Sequence, residues 1–388
     1  MGSRSTQPAA ATKMTLTSVM TLEGHKDDIR RMAYFPDGKR IISVSYDKTI
    51  RQWDLQAGKE IEEVQDVYEG YVYKVVVSRD GRWVMTAGGD EEYKRKELKA
   101  HEVERGIVKT FQDSRYINCI DISADGKLLA SGSDHDGTVL IRGMDTGELV
   151  ADSFKTGDDF VGAVRFSPNS KKLAVQSDVG KCLEVWDVQT QKLDARVGKR
   201  GDGPGILTSA PIFWTKKGTI LAVFSFDFDD NRSRPTAIYE FDASTLETVG
   251  DPFQGHTNTI DDLAFSSDGT LLASSSSDNT INFWSIESRQ LLASFHVQHE
   301  TEFHNLIFSP DTRQLAYSAD DKIFICTIPP DILTSIRVAP DAQAIVGICC
   351  IYLLLNVLIS SSRSMHLTIQ PSMTYSMCTP HYSIHLHY

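Results

Sequence analysis

A short turn that keeps returning constrains this chain more than any other feature. "FPDGKR" begins at residue 35, and equivalents begin at 78 (SRDGRW), 123 (SADGKL), 167 (SPNSKK), 215 (TKKGTI), 266 (SSDGTL) and 309 (SPDTRQ), at spacings of 43 to 51 residues. Each copy lies between two apolar runs, as "INCIDIS" and "LLASGS" flank the third. A second turn and a third alternating run then follow, in "DKTIRQWD", "GKCLEVWD", "DNTINFWS" and "DKIFICTI". Short apolar and β-branched runs separated by Gly, Asp and Pro turns read as strands joined by hairpins. No stretch of this region sustains a 3.6-residue period, so helices are not expected here. Units this small cannot bury both faces alone and must stack on their neighbours.

The first unit, residues 22–54, opens on Gly24-His25 and closes on Trp53-Asp54. A period of about 40 to 45 residues, four strands per unit and these two dipeptides resemble the WD40 family of β-propellers. The local wording is closest to fungal WD40-repeat proteins. The resemblance implies an all-β fold, a seven-bladed β-propeller with four-stranded antiparallel blades over residues 15–330. A flexible N-terminus (1–14) would precede it, and a C-terminal tail (331–388) would follow.

The copies are unequal. Trp-Asp is complete at Trp53-Asp54 and Trp186-Asp187 and becomes Trp284-Ser285 in the sixth unit; Gly-His survives at Gly24-His25 and Gly255-His256. The resemblance implies a hydrogen-bonded chain within a blade, made of His25, Ser43 or Ser45, Asp47 and Trp53 in the first. In the sixth it would be His256, Ser274 or Ser276, Asp278 and Trp284, and Trp186 with Asp187 would mark the fourth. A buried indole N–H or imidazole needs partners, and losing one costs about 1–3 kcal/mol. Blades 2, 3, 5 and 7 lack parts of this chain and are expected to be softer. The composition echoes a Ser-His-Asp triad, but no nucleophile elbow or oxyanion glycine accompanies it, so a structural role is expected.

The seventh unit needs an outer strand, and Pro329-Pro330 stops the ladder after its third. "TLTSVMTL", residues 15–22, is expected to fill that slot, with "ILTSIRV", residues 332–338, as the rival. Joining both ends in one blade shields an exposed edge.

Composition narrows the function classes. Forty basic against 52 acidic residues give −12, which argues against a nucleic-acid backbone as partner. Six cysteines without a CxxC pair suggest a reducing compartment and no zinc site. Asn231-Arg232-Ser233 fits a glycosylation acceptor but lacks a secretory segment, and Met1-Gly2-x-x-x-Thr6 fits a myristoylation pattern. The glycine-rich "GKRGDGPG" (198–205) lacks the ending of a phosphate loop, and "DFDDNRSRP" (227–235) lacks the glycine and terminal Glu of a calcium loop. Both are read as surface loops.

From residue 342 onward there is no Asp, Glu or Lys. Residues 344–360 are nearly uncharged and as a helix would span about 25 Å, the short limit for a bilayer. Three readings of the tail stand: a membrane anchor, a segment packed on the propeller, or sequence never shaped for folding. His381, His385 and His387 have a spacing that suits a metal, against a plain His-rich end.

Two function classes follow. In the first the chain is a non-catalytic, cytoplasmic scaffold, a single propeller working within a complex and needing no cofactor or metal, or the same scaffold tethered to a membrane by 344–360. In the second it is a propeller enzyme with its site in the central channel. Aligned on the turn, the position seven residues before its Asp holds Arg30, Tyr73, Asn118, Gly162, Ala210, Asp261 and His304. Two residues earlier stand Asp28, Tyr71, Tyr116, Phe160, Thr208, Thr259 and Glu302, and Tyr46 precedes the second-turn Asp. No ring of acids appears, while Tyr and Arg on a rigid rim are residue types that make binding hot spots. Arg30, Tyr46, Tyr71, Tyr73, Tyr116, Phe160, Asp261 and His304 are therefore the expected rim for a protein or peptide partner. In WD40 proteins the narrow face is the usual docking site, which the resemblance implies here.

Overall fold

In the computed structural model, the described residues are 15–61, 70–89, 96–113, 116–133, 136–150, 153–156, 160–177, 180–198, 210–227, 235–297 and 305–336. They form seven sheets of four antiparallel strands; six run in chain order from an inner to an outer strand, and the seventh takes its outer strand from the start of the chain. The inner strands are Ile29–Tyr34, Val72–Val77, Ile117–Ile122, Val161–Phe166, Phe213–Trp214, Ile260–Phe265 and Asn305–Phe308. They line the central channel.

The recurring turn joins each inner strand to the second. Its geometry is local chemistry. Ser78 donates its hydroxyl to Asp80 (2.5 Å), Ser123 to Asp125 (2.6 Å) and Ser266 to Asp268 (2.7 Å). Each carboxylate also accepts the amide two residues on, as from Arg82 at 3.0 Å. The residue after the Asp lies in the left-handed region, at φ +67° for Gly38 and +78° for Gly269. Glycine suits that position because it lacks the Cβ that clashes there. Ser170 and Thr312 occupy the same position at φ +60° and +59°.

The core is not one cluster but seven, each shared by two adjacent blades. Phe35, Ile42 and Val44 of blade 1 pack on Val72, Val75 and Val84 of blade 2. Corresponding clusters join blades 2–3, 3–4, 4–5, 5–6 and 6–7. The last joins Ile41 and Trp53 of blade 1 to Ala316, Ile323 and Ile325 of blade 7, with Leu22 between them. Each sheet is therefore buried on both faces only because the ring is closed.

The closing strand is Ser18–Glu23, which pairs antiparallel with Lys322–Thr327 at Leu22↔Ile323 and Met20↔Ile325. Residues 332–336, the described part of the rival segment, are not a strand. Residues Pro330–Ser335 form a short helix that buries Ile332 in the cluster of blades 6 and 7, so packed structure runs past the expected boundary at 330. Prolines at 329 and 330 lack the amide that a ladder needs, while proline suits the first turn of a helix. The tail readings, the 344–360 segment, Gly2, His381, His385 and His387 all lie outside the described residues. Among the described residues no helix is long and apolar enough to cross a membrane.

Candidate functional site: the upper rim and the channel below it

The upper rim is the end of the propeller that carries the turn between second and third strands and the start of each inner strand. In blade 1 this turn is tied down by a buried chain. The Trp53 indole N–H donates to Ser43 Oγ at 2.8 Å, Ser43 lies 2.7 Å from His25 Nε2, and His25 Nδ1 lies 2.8 Å from Asp47. One proton arrangement completes every partner: the serine hydroxyl donates to Nε2 and Nδ1–H donates to the carboxylate. Asp47 also accepts the Lys26 amide at 2.9 Å and the Thr49 hydroxyl at 2.7 Å. Burial alone would raise the Asp47 carboxyl, but these hydrogen bonds, led by His25, hold it well below the usual range. Blade 6 repeats the chain with Trp284, Ser274, His256 and Asp278, at 2.9, 2.7 and 3.0 Å. Asp278 is lowered in the same way. Ser43 and Ser274 are fully buried, so neither hydroxyl can meet a substrate.

Blade 4 differs. Trp186 donates instead to Glu184 at 2.8 Å, which Arg196 holds from the other side at 2.7 Å. Asp187 belongs to no His–Ser–Trp chain; it binds Lys172 at 2.9 Å and caps its own turn through Thr190. Its expected place in the network is thus corrected.

On the rim surface, the Arg30 guanidinium sits over the Tyr46 ring (4.7 Å), and Tyr46 meets Tyr71 edge-on (5.5 Å). The Tyr46 amide is pinned to the Asp28 carbonyl at 3.1 Å. Tyr116 carries Lys96 over its ring at 5.4 Å and stacks on Tyr73 at 5.1 Å. Tyr73 is corrected from rim to core: it is 8% exposed and donates its hydroxyl to the Gly88 carbonyl at 3.3 Å. Phe160 is half-buried at the start of blade 4. Asp261 is held by the Ser277 hydroxyl at 2.9 Å. His304 lies outside the described residues.

The sequence reading missed the layer just below. In blades 1, 2, 3, 4 and 6 the inner strand carries a bulge, where register shifts between Ile29 and Arg31, Val72 and Lys74, Ile117 and Cys119, Val161 and Ala163, and Ile260 and Asp262. A bulge re-aims side chains. Of the residues one place after the expected rim positions, Arg31, Lys74 and Asp262 therefore meet in the channel, joined by Asn305 of blade 7, while Cys119 packs in the cluster of blades 3 and 4. Asp262 accepts the Leu306 amide at 2.6 Å and the Asn305 side-chain amide at 3.0 Å, and lies 3.7 Å from Arg31. Asn305 in turn accepts the Met32 amide at 2.6 Å. These bonds satisfy inner-edge amides that face no further strand, and they couple blades 6, 7 and 1. Burial raises the Asp262 carboxyl despite Arg31 and these donors.

The arc over blades 1 to 3 has the opposite character. Among the described residues Lys74 makes no hydrogen bond or ion pair. Burial lowers its ammonium to about 7, with Arg31 and Arg30 adding to the effect against Cys119 and Asp262. Burial also pushes the Cys119 thiol up to about 12, so it stays uncharged and donates to the Val161 carbonyl at 3.6 Å. Among the described residues the Lys74 ammonium thus has no ion-pair partner, only the through-space pull of Asp262 against its burial. Among the described residues no three His, Cys, Asp or Glu side chains lie close enough to hold a metal ion.

Seven radial four-stranded sheets make a seven-bladed β-propeller, and two of the blades hold the His–Ser–Trp–Asp chain of a WD repeat. The WD domain, G-beta repeat family matches residues 16–54, 105–141 and 247–285, the first and last of which carry the two complete chains. The chain is 27% identical over 257 residues to the small ribosomal subunit protein RACK1 of Caenorhabditis elegans, covering 52% of this chain and 75% of that one. Over 57 residues it is 42% identical to nuclear distribution protein nudF 2 of Aspergillus clavatus and 47% identical to nuclear distribution protein PAC1 of Arthroderma otae. Those two matches span 14% of this chain and 13% and 12% of the relatives' lengths.

Proposed function

We propose that the protein is a non-catalytic interaction platform whose upper rim over blades 1 to 3 grips a protein or peptide partner. The observation that carries this reading is the ladder of Arg30, Tyr46 and Tyr71. Interlocked aromatic and guanidinium groups present contact area that has already lost its rotamer freedom, so a partner need not order it. One relative is named for a ribosomal subunit, which accords with a single propeller that works inside an assembly. The same reading places the protein in the cytoplasm, where Cys119, Cys182 and Cys326 stay as the free, buried thiols they are.

Affinity purification of the wild type against an Arg30→Ala/Tyr71→Ala double variant tests it. Both side chains sit outside the seven cores, so the variant is expected to fold and to lose a defined subset of partners. An identical partner set for both proteins would overturn the reading.

A further inference from the structure

The interblade bonds divide the channel into two arcs. Asp262 and Asn305 are acceptors, and each caps the first free amide of the next blade. The equivalent places in blades 1, 2 and 3 hold Arg31, Lys74 and Cys119, of which none is an anionic or carbonyl acceptor. Arg31 leans on Asp262 at 3.7 Å, and among the described residues Lys74 makes no ion pair of its own. The charges acting on Lys74 come from blades 1, 3 and 6 alike (Arg30 and Arg31, Cys119, Asp262), as befits a side chain in the shared channel and not one on the outer surface. Part of its surface remains open. Above it stand Arg30, Tyr46 and Tyr71, and Lys96 lies over Tyr116 on the blade 3 side. In a protein of net charge −12, Arg30, Arg31, Lys74 and Lys96 bring four cations among the aromatic rings of this quadrant.

We propose that the mouth of the channel over blades 1 to 3 receives the carboxylate of an acidic side chain, carried by a linear peptide laid across the Tyr46–Tyr71 rim and seated on Lys74 beside Arg31. This rests on the platform reading and adds the chemistry of its partner. A carboxylate at this spot supplies the missing counter-charge and the acceptor atoms that blades 1 and 2 lack, so desolvating the ammonium is offset by charge-assisted hydrogen bonds. Lysine suits this role better than arginine where occupancy follows pH, because its compact charge responds to burial. The glutamate of a bound peptide stays ionised above about pH 5, so between pH 6 and 8 the titrating partner is the protein side.

A fluorescein-labelled peptide of about ten residues, alternating glycine and glutamate, is the probe, with glycine–glutamine and glycine–lysine peptides of equal length as controls; such a strand spans about 30 Å, enough to cross the rim. Fluorescence anisotropy is read at pH 6, 7 and 8 for the wild type, Lys74→Met, Lys74→Arg and Arg30→Ala/Tyr71→Ala. For the wild type the glutamate peptide is expected to bind in preference to both controls, and about tenfold tighter at pH 6 than at pH 8, following the charged fraction of an amine titrating near 7. Lys74→Met should lose both the preference and the slope. Lys74→Arg should keep the preference and lose the slope, which separates a binding role from a folding defect. Equal binding of glutamate and glutamine peptides by the wild type, or an unchanged slope in both Lys74 variants, would overturn the channel site while leaving the rim reading intact. Unchanged binding by Arg30→Ala/Tyr71→Ala with loss in Lys74→Met would instead sink the rim and keep the channel site.

Discussion

Blades 1 and 4 bury the same indole at the same place in the third strand, yet they satisfy it by different chemistry. Trp53 donates to a neutral serine that leads on through His25 to Asp47, so one contact reaches the turn at the upper rim. Trp186 donates to Glu184, whose charge Arg196 balances at the outer strand. Blade 5 avoids the matter with Phe241, which is fully buried and has no N–H to satisfy. The fold demands only that a large ring be buried and its polar atom paired. The fuller chain adds a fixed upper turn, and in blade 1 that turn carries Tyr46.

The sharpest way to break this comparison is to remove what all blades share, the closed ring. Deleting residues 1–23 strips the outer strand from blade 7 and uncovers Ile323 and Ile325. Cooperative melting should disappear, or the midpoint should fall by more than about 10 °C. An unchanged midpoint in calorimetry would contradict the N-terminal closure.

Next comes the difference between complete and incomplete blades. His256→Ala strands Ser274 and Asp278 and is expected to cost about 1–3 kcal/mol by urea titration. In blade 2, His101 occupies the tryptophan position with its Nε2 buried and unpaired, and burial followed by Lys99 lowers its pKa. His101→Ala should therefore stay within about 1 kcal/mol of neutral, because it removes an unsatisfied atom along with some packing. Equal costs at the two sites would show that the chain adds nothing.

The two complete chains also set an acid limit. Asp47 and Asp278 ionise more readily folded than unfolded. The unfolded chain therefore binds protons more tightly, and the stabilisation is full above about pH 4 and drains as pH falls below it. A variant with both residues changed to Asn should be less stable at pH 7 and show a shallower loss between about pH 4 and 2. Acid profiles of equal slope would contradict this.

The smallest effect lies at the recurring turn, where blades differ in one residue's backbone strain. Ser170→Gly should gain about 0.5 kcal/mol by relieving φ +60°, while Gly38→Ala should lose about 1 kcal/mol.

The turn spacing, the strand order, the N-terminal closure and the Trp53 and Trp284 chains could all be read in the sequence, because they follow from alternation, proline chemistry and paired dipeptides. The channel layer could not. Alternation alone assigns Arg30, Tyr73 and Asp261 to one face, and the bulge that turns Arg31, Lys74 and Asp262 inward is a backbone event with no residue signature of its own. Reading one residue further along each unit would have exposed the run Arg, Lys, Cys, Ala, Pro, Asp, Asn, whose mixed charge departs from the repeat. Likewise Tyr73 looked like its neighbour Tyr71, and only the stack on Tyr116 shows why one is core and the other rim.

Hydrogen–deuterium exchange of the full chain, free and bound to its affinity-purified partner, tests the central claim most directly. Protection confined to residues 27–31, 46–49 and 70–75 is the result the rim over blades 1 to 3 requires. Protection on the opposite end, at the turns around Gly38, Gly81 and Gly126, with the upper rim unchanged, would contradict it.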